Sequence, residues 1–186
     1  RFGNEVFFKA ISGGDAEYVA WSYNAAIKEM KKASKRHPND FSYLHTLGNL
    51  YLRGGNAFDN MEYYNQAVKF YKKALELSPK RQAVIFQLST CYLFMGESRK
   101  AVESLKEAVS FDEKIGQSHW RLGVALLASG QKQEAYKSLK RSIKLEFFGR
   151  IEDEVKKATN LCIENKDYKC AAILYRSLKV NPETAE

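Results

Sequence analysis

An all-α solenoid of stacked antiparallel helix pairs is the fold class this sequence predicts, and three observations carry it. Proline is scarce, with three in 186 residues, at Pro38, Pro79 and Pro182. The stretches between them are rich in Ala, Leu, Lys and Glu, which hold a helix where proline would break it, and β-branched runs with period-two alternation are absent. Above all, one pattern of size and polarity recurs every 34 residues: Leu88-Ser89, Tyr92, Gly96, Ala101, Leu105, Ala108 and Val109 return as Leu122-Gly123, Leu126, Gly130, Ala135, Leu139, Ser142 and Ile143. A fixed period of this length marks a repeat array.

Taken in order, residues 1–38 read as an irregular helical hairpin, a degenerate repeat or a cap. Within it 2–11 is a short helix, "SGGD" a break with Asp15 as N-cap, and 16–36 a long helix ending before Pro38. Trp21, Tyr23, Ile27 and Met30 are expected to plug the first open face of the stack. The first full repeat is 41–80. Pro38 to Pro79 spans 41 residues, seven more than one period, and the surplus falls at 56–63, as a longer loop or an extended second helix. Repeats 82–115, 116–150 and 151–186 follow in one continuous solenoid. The last carries Lys157 where leucine is usual and Ala158 where glycine is, so its first helix is expected to pack less tightly.

Each unit holds two amphipathic helices. The first buries positions 4, 7, 8 and 11, the second 20, 24, 27 and 28, spacings that put each set on one helical face. Glycine near position 8 and alanine at position 20 allow the pair to approach closely. Gly54-Gly55, Gly96, Gly130 or Asn165 are expected in the turn between the helices, as residues that tolerate left-handed backbone.

The segments "DFSYLHTLGNLYLRGG", "AVKFYKKALELSP", "HWRLGVALLASGQKQEAYKSLKRSIKLE" and "NKDYKCAAILYRSLKVNP" resemble tetratricopeptide repeats (TPRs), a likeness covering about residues 41–182. The resemblance implies a right-handed superhelix and a non-enzymatic scaffold that binds another protein or peptide in a concave groove lined by first helices. Carried onto this chain, the groove residues are His45, Asn49, Arg53, Phe86, Thr90, Phe94, Gln117, Trp120, Arg121 and Val124. Phe86, Phe94 and Trp120 then read either as aromatic anchors for a peptide or helix, or as rings covered by the leading hairpin or a curled superhelix. Some family members grip a C-terminal carboxylate with a Lys/Asn/Asn/Lys/Arg clamp. The matching positions are His45, Asn49, Gln87, Gln117 and Arg121, so Asn49 and Arg121 fit while both lysines are lost, and with them most of the charge.

"ALELSPKRQ" followed by "GQSHWRLGVALLASG", with "HPNDFSYLHTLGNLY" upstream, is also similar to soluble TPR tails of bacterial O-antigen ligase/polymerase-like membrane proteins. That likeness implies a juxtamembrane module docking glycan-assembly partners or anionic membrane through a basic face. A start at Arg1 and an end in "NPETAE" without a cap helix fit an excised piece of a longer chain.

Net charge is +8 and the isoelectric point about 9.3, which favours anionic surfaces without choosing among them. The cations cluster as Lys28, Lys31, Lys32, Lys35 and Arg36, as Lys72, Lys73, Lys80 and Arg81, and as Lys137, Lys140, Arg141 and Lys144. They read as a solvated convex face, with an anionic membrane surface the competing reading. Nucleic acid comes third, because no stacking aromatics interleave with these cations. Cys91, Cys162 and Cys170, with no CxxC, read as reduced core thiols and favour a reducing, cytoplasmic setting. No apolar run approaches the roughly 20 residues of a membrane span. His37, His45 and His119 are scattered, and no nucleophile, phosphate-loop or zinc motif is present. No enzyme, metal or cofactor is expected.

Overall fold

In the computed structural model, which describes residues 16–179, all regular structure among the described residues is helical. The helices are α1 Ala16–Arg36, α2 Phe41–Phe58, α3 Met61–Leu77, α4 Gln82–Phe94, α5 Ser98–Phe111, α6 Gly116–Ala128, α7 Lys132–Lys144, α8 Glu152–Glu164 and α9 Tyr168–Lys179. The helix expected over 2–11, the Asp15 cap and Pro182 lie outside the described residues. Two compact units divide the chain between Cys91 and Tyr92, inside α4.

In the first unit, the surplus residues of the first repeat are spent on helix. α2 has 18 residues and α3 has 17, against 13 in α4 and α6. Gly54 and Gly55, expected in the turn, are helical residues of α2. A Cβ on Gly54 would stand 2.7 Å from the rings of Tyr23 and Tyr63, and one on Gly55 2.6 Å from Tyr64, so these glycines admit aromatic rings against the helix. Asp59 makes the turn instead, at φ 46°; aspartate is among the few L-residues that visit this region. Asp40 caps α2 by accepting the Ser42 N–H at 2.8 Å, and Asn60 caps α3 by accepting the Glu62 N–H at 2.9 Å, the standard use of short polar side chains there. Of the expected plug, Tyr23 and Ile27 are buried while Trp21 is exposed.

The second unit repeats a shorter hairpin. Ala101, Ala135, Leu105 and Leu139 are fully buried, one period apart in each pair. Gly96 and Gly130 turn the chain at φ 74° and 79°. Between α8 and α9 the left-handed residue is Lys166, at φ 55°, not Asn165, whose amide donates to the Leu161 carbonyl at 2.8 Å. As expected, α8 is packed less closely against its neighbours than α6 is, although Val155, Ala158, Leu161 and Cys162 on its inner face are each no more than 2% exposed and Lys157 turns outward. The expectation of reduced thiols is corrected at one pair. Cys162 and Cys170 form a disulfide with Cα atoms 5.9 Å apart, because the tight antiparallel turn folds the end of α8 onto the start of α9. Cys91 is free and buried.

Candidate functional site

In the first unit, His45 and Asn49 lie one turn apart on α2, a spacing that puts them on one face. His45 Nε2 lies 2.7 Å from Gln87 Oε1 of α4, a hydrogen bond in the tautomer that carries the ring proton on Nε2. Asn49 Nδ2 is 3.4 Å from the same ring nitrogen, and its Oδ1 accepts the Tyr71 hydroxyl at 2.8 Å. Tyr71 reaches that position because residue 48 is glycine; a Cβ there would lie 2.4 Å from the ring. Burial drives the Tyr71 phenol well above the usual tyrosine range, which keeps it a neutral donor. Phe41 stacks on His45 with centroids 5.4 Å apart, and the Arg81 guanidinium lies over Phe41 at 4.9 Å.

His45, Asn49 and Gln87 are all half-buried. They form a polar strip across two first helices, able to exchange hydrogen bonds with a peptide backbone. Arg53 is exposed near the end of α2, and Thr90 is half-buried, its hydroxyl donating to the Phe86 carbonyl at 2.9 Å. Phe86 itself is 7% exposed. It belongs to the core, and the reading of it as an open anchor is corrected.

In the second unit, Phe94 is 53% exposed, while Gln117, Arg121 and Val124 are half-buried. Trp120 is 2% exposed, so it too is withdrawn as an open anchor. The cause is the segment after α7. Glu146 at φ 59° and Gly149 at φ 74° fold it back, placing Phe147 edge-on to the indole at 6.3 Å. Gly149 lies so close that a Cβ there would be 2.4 Å from the indole. The indole Nε1 donates to Glu154 at 3.0 Å. Burial lowers the Arg121 guanidinium from its ordinary value while the charge of Glu154 works the other way.

One feature went unrecognised in the sequence. A cleft of about 1040 Å³ in the first unit is walled by α1 and α3 and lined by Lys28, Lys31, Lys32, Lys35, Lys69 and Lys73. Of these, Lys28, Lys31, Lys32, Lys35 and Lys73 are the ones expected on an open solvated face. The available signal was their recurrence at three- and four-residue steps, which aligns them along one side of each helix. Among the described residues, no group of His, Cys, Asp and Glu could hold a metal ion, and no helix is long and apolar enough to cross a membrane.

Two family models described as tetratricopeptide repeat match the chain, over residues 62–121 and 116–147. No curated protein matches. Among solved structures, MamA 41-end from Desulfovibrio magneticus RS-1 superposes with a TM-score of 0.67 at 16% identity, covering 100% of this chain and 96% of that one. TTC0263, a thermophilic TPR protein in Thermus thermophilus, gives 0.62 at 19% identity over 98% and 93% of the two chains. The first TPR of Spaghetti (RPAP3), bound to the HSP90 peptide SRMEEVD, gives 0.56 at 19% identity over 68% and 93%. At these identities the likeness is one of fold.

Proposed function

From the premise that this chain belongs to the tetratricopeptide-repeat family, we propose that it is a non-catalytic interaction scaffold holding a peptide or helix of another protein along its first-helix faces. The His45–Gln87 hydrogen bond carries the reading. It joins α2 and α4 into a half-exposed polar strip, completed by Asn49, that suits an extended backbone. In the second unit, Phe94 is exposed and offers a bound segment an apolar contact of its own. The HSP90 peptide on one structural neighbour supports a peptide as the partner class. An acidic C-terminal tail is disfavoured, because His45 and Gln117 stand where clamp lysines would provide charge.

Peptides selected against the full 186-residue chain from a displayed random library test the proposal. Asn49→Ala, Gln87→Ala and Phe94→Ala should each weaken the selected peptides several-fold while leaving the helical circular-dichroism signal unchanged. Equal binding by all three variants would overturn it. A second reading, a juxtamembrane module docking anionic lipid or glycan-assembly partners, rests on the lysine clusters of α1 and α3. Flotation with anionic vesicles at low salt tests that reading, and failure to float removes it.

A further inference from the structure

We propose that the lysine-rimmed cleft between α1 and α3 is a second docking site, distinct from the first-helix strip, and that its occupant is an acidic amphipathic helix. The cleft has an apolar floor and basic walls. Half-buried Phe70 and exposed Leu77 of α3 give it accessible apolar surface, backed by the buried Leu44, Leu47 and Tyr51 of α2. Lys28, Lys31, Lys32 and Lys35 rise along α1, and Lys69 and Lys73 along α3; Glu76 is the one acidic residue in the lining.

Helix-dipole complementarity does not account for this arrangement. A dipole favours cations within the last turn, yet Lys28 and Lys31 sit well before Arg36, the end of α1. Nor does internal ion pairing. Lys32 pairs with Glu29 at 2.7 Å, and Lys31 lies 5.4 Å from the Tyr51 ring centroid. No ion pair engages Lys28, Lys31, Lys35, Lys69 or Lys73 among the described residues.

The spacing selects a helix as the occupant. On α1 the lysines recur every three or four residues, a rise of roughly 5 Å per step. Carboxylates at the same spacing along a docked helix advance equally and can meet them in register. An apolar stripe between the carboxylates would rest on the floor, the helix-in-groove mode of recognition. The Tyr63 hydroxyl donates to Asn24 Oδ1 at 3.2 Å, tying the two walls near the amino-terminal end of α3 and fixing where the groove begins.

The test uses the full chain and a synthetic fluorescent peptide with leucines on one helical face and flanking glutamates. Its controls are a scrambled peptide of the same composition and a partner with lysine in place of glutamate. Saturable binding of the acidic helix is expected, weakened at least tenfold by Lys31→Glu with Lys73→Glu, and recovered when that double variant meets the lysine peptide. Asn49→Ala and Phe94→Ala should leave this binding unchanged, so it stands or falls apart from the first-helix strip. Equal binding of the scrambled peptide, indifference to the charge reversal, or binding of anionic phosphatidylglycerol vesicles without the peptide would each overturn the proposal.

Discussion

Trp120 and Glu154, separated by 34 residues, are joined by a 3.0 Å hydrogen bond from the indole Nε1 to the carboxylate. An aromatic at a groove-facing repeat position is thereby converted into a structural pin between two repeats, closed over by Phe147 and Gly149.

Truncating that pin should unfold rather than silence. Trp120→Ala removes a side chain only 2% exposed and is expected to cost about 3–5 kcal/mol. Trp120→Phe retains most of the packing and forfeits the bond to a charged acceptor, roughly 1.5–3 kcal/mol. Gly149→Ala should also destabilise, because its φ of 74° disfavours an L-residue by about 1–2 kcal/mol and its Cβ would strike the indole. Urea unfolding of the three variants checks the order. A Trp120→Ala midpoint equal to wild type would show that the ring is not buried.

Tyr71→Phe should cost about 0.5–1.5 kcal/mol, because Asn49 Oδ1 loses the 2.8 Å hydroxyl donor while the ring stays in place over Gly48. Gly48→Ala should cost more, since the ring has no room to retreat: Tyr71 is fully buried. Thermal unfolding separates the two variants. If Gly48→Ala proves neutral, the Tyr71 ring does not press on α2 at Gly48.

Most of the fold was legible because its period is written in small residues that cannot be exchanged. Ala67, Ala101 and Ala135, one period apart, are all fully buried, and each admits the neighbouring helix. Irregularity was not legible. Gly54 and Gly55 look like turn residues, and only the rings of Tyr23, Tyr63 and Tyr64 explain why α2 runs through them. Trp120 occupies a position that faces a groove in a regular repeat, and its burial depends on an aperiodic segment whose left-handed Glu146 and Gly149 no repeat pattern announces. In the candidate site, His45, Asn49 and Gln87 align with clamp positions in the sequence, and the structure brings those three side chains together. Legibility failed at Phe86 and Trp120, because hydrophobic size alone does not distinguish an anchor from a core residue.

The cysteines give a count. Unfolded without reductant, the chain should react with a thiol reagent at one site, Cys91, and after reduction at all three of its cysteines. In the folded protein Cys91 should stay silent near pH 8, because burial pushes its thiol up to about 12 and the thiolate is the reactive form. Reduction should lower stability by about 2–3 kcal/mol on a chain-entropy account of so short a loop. Three reactive thiols before reduction would remove the Cys162–Cys170 bond.

The acid limit of stability should depend on Asp167. Its carboxylate accepts the Tyr136 hydroxyl and the Cys170 N–H, and pairs with Lys140 at 3.0 Å. These contacts, the Tyr136 hydrogen bond foremost, hold its pKa well below the ordinary carboxylate range. A carboxyl depressed on folding stabilises the protein at every pH above its unfolded value, about 3.9. That contribution is lost as pH falls from there through the folded value. Asp167→Asn keeps a side chain able to cap α9 but cannot carry the charge. It should therefore be less stable than wild type at pH 7 and should approach wild type near pH 2, flattening the acid limb. Parallel acid limbs in urea unfolding from pH 6 to 2 would place the acid sensitivity elsewhere.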